Sequence, residues 1–141
     1  DRVIDWHERG LLPTSAALTG DPRMAFVHGD FFALAAGSGF DPVQRHRRFH
    51  AVVLDIDHSP RHMLHPSHAA FYAAPGTRRL AEHLSPGGVF ALWSNDPPDD
   101  DYRRVLEASF ESVRVEIVAF DNPLQGRESA NTVYVACTPS R

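Results

Sequence analysis

Ala51-Val52-Val53-Leu54-Asp55-Ile56-Asp57-His58-Ser59-Pro60 is the stretch on which the reading of the fold turns. Its first six residues are apolar at both alternating positions except for one acid, which suits a strand of a parallel sheet covered by helices on both faces. Asp57, His58, Ser59 and Pro60 then mark a loop at the carboxyl end of that strand. Working outward, further apolar runs at 24–28, closed by Gly29, and at 89–94, introduced by Pro86-Gly87-Gly88, read as strands. Between them lie segments of helical period. Residues 3–12 read as a helix ended by Pro13, and 31–36 as a short one capped by Asp30. The run 67–84 reads as one helix or two, interrupted at Pro75-Gly76, with Leu80 and Leu84 on its buried face. The run 99–110 places Tyr102, Val105, Leu106 and Phe110 on one side of a last helix.

The end of the chain changes character. Residues 113–120 (VRVEIVAF) alternate strictly, and 132–136 (TVYVA) follow after a loop of about ten residues with no helix between, so the two form an antiparallel pair. The expected architecture is α/β: a mostly parallel sheet with 51–56 beside 89–94, finishing in an antiparallel hairpin at one end. At 141 residues, with no repeat, low-complexity tract or linker, the chain 1–141 reads as one domain against a prior of roughly 150 residues per domain.

Composition narrows the function. With 43% hydrophobic and 23% charged residues, the chain has the makings of a core. All 14 basic residues are arginine, and 18 acids bring the formal charge to −4, which disfavours a nucleic-acid partner. The one basic cluster, Arg45, His46, Arg47, Arg48 and His50, reads as a solvated loop. No apolar run approaches the ~18 residues of a membrane span, and residues 1–5 lack signal-peptide character, so a cytoplasmic protein without a membrane partner is expected. Cys137 is the only cysteine, so it has no disulfide partner and reads as a packing residue.

In an open α/β sheet, ligands bind beyond the carboxyl ends of the strands. Three places qualify: Gly29-Asp30-Phe31, the loop from Asp55 to Pro60, and Trp93-Ser94-Asn95-Asp96. Asp30 suits a helix N-cap, and its carboxylate also suits an amine on a bound base. Asp55 ends an apolar strand, where a buried carboxylate is costly without a partner, so a ligand or catalytic role is expected there. Asp57 and His58 suit either a role beside it or an ordinary turn. Asp55, Asp57, His58, His62, His65 and His68 together offer metal-type donors. Their spacing, with histidines stepping by three through Pro60 and Pro66, matches no known zinc signature, and a histidine-rich surface loop with no metal is expected.

Taken in order, these residues resemble the spermidine synthases and their relatives within the class I S-adenosylmethionine-dependent methyltransferase fold. The matching pieces are Asp21-Pro22-Arg23, Gly29-Asp30, Leu54-Asp55 at a strand end, Phe71-Tyr72, Leu84-Ser85-Pro86-Gly87-Gly88-Val89 and the closing hairpin, which span nearly the whole chain. The stretch Leu54 to Pro60 together with Trp93-Ser94 is similar to a bacterial spermidine synthase-like group. The resemblance implies a Rossmann-like methyltransferase sheet that uses S-adenosylmethionine or its decarboxylated form. It implies transfer of an aminopropyl or methyl group to a small-molecule amine, the chemistry of polyamine biosynthesis, by in-line displacement at a carbon on the sulfonium sulfur. Carried over by residue, it implies that Asp30 contacts the adenine amine and Phe31 packs on the ring. Asp55 would receive the attacking amine and help remove its proton, with Asp57, His58, Tyr72 and Trp93 around the substrate.

Two departures accompany the resemblance. The glycine-rich G-x-G-x-G loop and the first strands of such a fold do not occur here, so the sequence is expected to correspond to its C-terminal two-thirds, with a bare strand edge suited to association as a homodimer. The family pattern also places a second acid three residues after the first, followed by proline; here His58 stands at that position and the proline is Pro60. That takes an acidic partner away from a cationic diamine. The competing reading is a noncatalytic or metal-binding α/β domain with an Asp/His-rich loop.

Overall fold

The computed structural model describes residues 2–141. Its elements in chain order are α1 (Arg2–Glu8), α2 (Ser15–Thr19), α3 (Phe31–Ala36), β1 (Phe49–Leu54), a 3₁₀ turn (Pro66–His68), α4 (Ala69–Tyr72), α5 (Ala74–Glu82), β2 (Leu84–Ser94), α6 (Asp100–Glu107), β3 (Ser112–Asn122) and β4 (Arg127–Cys137). Four strands form one sheet in the order β1-β2-β4-β3. β1 pairs parallel with β2, while β4 runs antiparallel to both β2 and β3. Three strands therefore share one direction and β4 alone is reversed, the arrangement expected for an α/β sheet closed by a hairpin.

Period-two alternation sets the two faces of the sheet. Val52 and Leu54 of β1, Phe90, Leu92 and Ser94 of β2, and Thr132, Tyr134 and Ala136 of β4 are buried on one face, together with Phe71, Tyr72, Leu80, Tyr102 and Leu106 from the helices. Each large apolar side chain buried in this layer contributes ~1.5–3 kcal/mol. The opposite face differs from expectation. Val53 is 78% exposed and Ala51 is exposed as well, so β1 is covered on one side where its composition suggested two.

Several boundaries also move. Residues 24–28 form no strand, because no neighbouring strand offers them a ladder among the described residues. β1 starts at Phe49 and makes its last register pair at Leu54↔Leu92, which leaves Asp55 and Ile56 in the loop. The first helix stops at Glu8, well before Pro13. Gly10 adopts φ 69, its N–H bonds to His7 O at 3.1 Å and Leu11 N–H bonds to Trp6 O at 2.9 Å, the double closure of a left-handed C-terminal cap. The run 67–84 divides into a 3₁₀ turn and two helices, and Leu84 is buried as the first residue of β2 and not as part of the helical face. The last helix is Asp100–Glu107, with Asp99 accepting from Asp101 N and Tyr102 N as its cap. The hairpin is longer and tighter than expected, since its ladder continues to Asn122↔Arg127 and Gly126 turns at φ 62.

Candidate functional site

The carboxyl ends of β1 and β2 lie side by side, and Asn95 N–H bonds to His58 O at 2.8 Å, which joins the two loops that leave them. Asp55 is the first residue past β1. It is exposed, and its carboxylate has no hydrogen-bond or ion-pair partner among the described residues. The burial argument made for Asp55 therefore does not hold. It belongs to Asp57.

Asp57 is 4% exposed, and its carboxylate is fully satisfied. Leu64 N–H donates to Oδ1 at 2.7 Å and the Tyr72 hydroxyl to Oδ2 at 2.9 Å, while His68 Nδ1 lies 2.9 and 3.0 Å from the two oxygens. Burial is the largest single influence on this carboxyl and pushes its pKa up, but the Leu64, His68 and Tyr72 bonds together outweigh it and hold the group below the ordinary value. Burial and the adjacent carboxylate push the Tyr72 hydroxyl far above the usual tyrosine range. His68 is stacked on Phe32, with ring centroids 3.7 Å apart and planes 18° from parallel.

A second network lies beside the first. Ser59 donates to Asp96 Oδ2 at 2.5 Å and His62 Nδ1 meets the same oxygen at 2.7 Å. Serine, histidine and aspartate occur here, but both partners converge on one carboxylate oxygen and Ser59 is 1% exposed, so the serine is not presented as a nucleophile. Arg61 closes the rim of this cleft through bonds to Asp99 at 2.6 and 2.9 Å and to Asp101 at 2.8 Å. The acids and histidines of the loop are thus divided among separate partners, and no three ligating side chains converge on a metal site among the described residues.

On the other side of His68, Asp30 caps α3. Its Oδ1 accepts from Phe32 N–H at 2.9 Å and Ala33 N–H at 3.2 Å, while Oδ2 has no partner. Asp30, Phe32, Ala33, Ser67, Ala70 and Phe71 line an apolar cleft of about 570 Å³. The rings that line it are Phe32 and Phe71. Phe31 instead packs inward, stacked on Phe40 at 5.0 Å and edge-on to Phe71 at 5.5 Å.

The structure brings Asp57 and Tyr72 into contact and leaves Asp55 and His58 exposed in the same loop. Trp93 stands apart. It alternates with the buried Leu92 and Ser94 and so lies on the open face of the sheet, where its indole N–H faces the Asn131 amide, whose oxygen accepts it at 2.6 Å when the amide is turned over. Sequence reasoning missed the Asp57–His68–Tyr72 cluster. The signal was available, because His68 and Tyr72 are four residues apart and share one face of a helical turn.

No family model and no curated protein matches the sequence. Solved structures do match. A spermidine synthase in complex with the transition state analogue AdoDATO superposes on the whole chain with TM-score 0.62 at 14% identity. The chain has the fold of the spermidine synthases. A spermidine synthase from Thermotoga maritima gives the same coverage, TM-score and identity, and a "probable spermidine synthase" from Corynebacterium glutamicum covers 92% of the chain with TM-score 0.52 at 20% identity. The chain spans 43 to 44% of the length of these structures. In the spermidine synthase fold the loops after β1 and β2 lie at the carboxyl edge of the sheet, so Asp55, Asp57 and Asp96 occupy the edge where α/β sheets bind ligands.

Proposed function

We propose that this chain supplies the acceptor side of a spermidine synthase-like transferase, which moves an aminopropyl or methyl group from decarboxylated or intact S-adenosylmethionine to an amine. The observation that carries the reading is the Asp55 carboxylate, unpartnered at the carboxyl end of β1 in a fold shared with spermidine synthases. A carboxylate left free of protein partners at that edge is available to orient an amine and to take its proton as the new N–C bond forms. The bound sulfonium compound supplies the electrophilic carbon.

The residues present fit part of such a ligand. Asp30 retains one unpartnered oxygen at the mouth of an apolar cleft lined by Phe32, a donor set that suits the amino edge and the face of an adenine. The G-x-G-x-G loop is not in the sequence, so these residues account for the base and not for the rest of the ligand. Asp57 and Tyr72 bond each other and act by fixing the loop that carries Asp55. His58, an imidazole where the family pattern has an acid, favours an acceptor with one cationic end over a diamine.

The test is Asp55→Asn in the complete protein. Turnover should fall by about 10²–10⁴-fold with little change in affinity for the sulfonium compound, since a positioned base typically contributes that much. Parent-like turnover at saturating cosubstrate would remove Asp55 from the mechanism. Failure of the parent to bind either sulfonium compound in calorimetry would favour the noncatalytic reading.

A further inference from the structure

We propose that His68 Nε2 is a second proton acceptor of this site, with Asp57 and Tyr72 as its positioning residues; the inference rests on the transferase reading above. An ionised carboxylate only accepts hydrogen bonds, so the 2.9 and 3.0 Å contacts to Asp57 place a hydrogen of His68 on Nδ1, and in the neutral ring the lone pair is then on Nε2. The carboxylate is itself fixed by the Leu64 N–H and the Tyr72 hydroxyl, and the imidazole plane is fixed by Phe32 at 3.7 Å. Three constraints thus hold one ring in one tautomer.

Nε2 has no hydrogen-bond partner among the described residues. It is not sealed either, because the His68 side chain keeps 17% exposure and the one buried side-chain polar atom left without a partner among the described residues is the Tyr102 hydroxyl. A fixed, unpartnered, solvent-reaching lone pair backed by a carboxylate is an arrangement for taking up a proton and stabilising the imidazolium that results. The ring's position gives it a donor. Asp57 lies two residues beyond Asp55, and Phe32 two residues beyond Asp30, so His68 sits between the acceptor-side loop and the loop assigned to the base. In the balanced step the acceptor ammonium gives one N–H proton to Asp55, the nitrogen lone pair so freed forms the N–C bond, the electron pair of the broken C–S bond leaves with the sulfur, and the second N–H proton goes to Nε2. The titratable groups around the ring are Asp57, bonded to it, His65, with its centroid 6.0 Å away, and Tyr72, whose hydroxyl bonds the same Asp57 carboxylate.

Two measurements on the complete protein test this. Nitrogen-15 NMR of the free protein should show the His68 Nδ1–H tautomer; an Nε2–H tautomer would overturn the proposal whatever the activity. With decarboxylated S-adenosylmethionine and either putrescine or n-butylamine as acceptor, His68→Gln should lower kcat by about 10²-fold with KM for the sulfonium compound unchanged. Asp57→Asn removes the charge that stabilises the imidazolium, so it should move the acid limb of the kcat–pH profile to lower pH, a shift that a purely structural role does not produce. Parent-like kcat and pH profile in His68→Gln, alongside an inactive Asp55→Asn, would overturn this inference and leave the transferase reading standing. No transfer by the parent with either sulfonium compound would overturn both.

Discussion

Three donors meet at the Asp57 carboxylate, from the Leu64 backbone, the Tyr72 hydroxyl and the His68 ring, at a position sealed from solvent. Replacing Asp57 by Ala strands all three, and each buried unsatisfied polar group costs ~1–3 kcal/mol. Asp57→Ala should therefore destabilise the protein at pH 7 by at least about 3 kcal/mol in urea unfolding. The effect depends on pH. The folded-state carboxyl lies below its ordinary value, so its contribution is complete above the unfolded carboxylate pKa of about 4 and is lost as pH falls through the folded value. The parent should thus lose stability on acidification more steeply than Asp57→Ala, and an equal acid slope for the two would count against the cluster. Asp55 and Asp57 are both legible as candidates, but the burial expected at Asp55 lies at Asp57. Strand parity holds the correction: Val52 and Leu54 face the core, so Asp55 shares the side of Ala51 and Val53.

Between α4 and α5 the chain breaks its helical run at Ala73, which is extended at φ −90 and ψ 162, and restarts with Pro75 in the first turn of α5. Gly76 then passes so close to α4 that a Cβ on it would strike the backbone of Ala70 and Phe71. Backbone cannot rotate away as a side chain can, so Gly76→Ala should push the helices apart and cost about 1–3 kcal/mol, as overpacking does. Thermal unfolding measures it, and a Tm unchanged from the parent would show that the crossing is looser than described. Because α4 carries Tyr72 and the 3₁₀ turn before it carries His68, the same substitution should also disturb the Asp57 cluster. Pro75-Gly76 was readable as an interruption, whereas the close approach was not, since it depends on the crossing of two short elements. Local chemistry likewise ended the first helix at Gly10, where Pro13 had seemed the stronger signal. The run 24–28 shows the reverse limit: a strand exists only with a partner, and no local pattern reveals whether one is available.

At the scale of the whole molecule, the antiparallel pairing of the last two strands followed from the absence of a helix between them, and 51–56 beside 89–94 from the α/β alternation, whereas the sequence left open that β4 and not β3 lies beside β2. What composition could not distinguish was a strand covered on both sides from one covered on a single side, because Val53 is apolar in either case. The register makes the open face explicit. Val53 is opposite Ala91 and Ala91 opposite Val135, an apolar row across three strands that ends at Arg114 on β3, while Trp93 opposite Val133 makes a shorter row across two strands that ends at Glu116. β1 adds an edge with no ladder partner beyond it among the described residues. Val53 is exposed and the other apolar members of these rows are half-buried, and contiguous apolar surface that water still reaches, together with an unpaired edge, drives association. Copies of the chain 1–141 should therefore self-associate, with sedimentation velocity showing species larger than 15.7 kDa that grow with concentration. Val53→Lys places a charge at the centre of the open rows, opposite Ala91, without entering the core, so it should shift the distribution toward monomer while leaving the circular dichroism of the fold unchanged. A parent chain that sediments as a monomer at all concentrations and binds no apolar dye would show that this face is closed in solution. Unchanged association in Val53→Lys would place the contact elsewhere, at the β1 edge or on the exposed Ile117 and Phe120 of the hairpin.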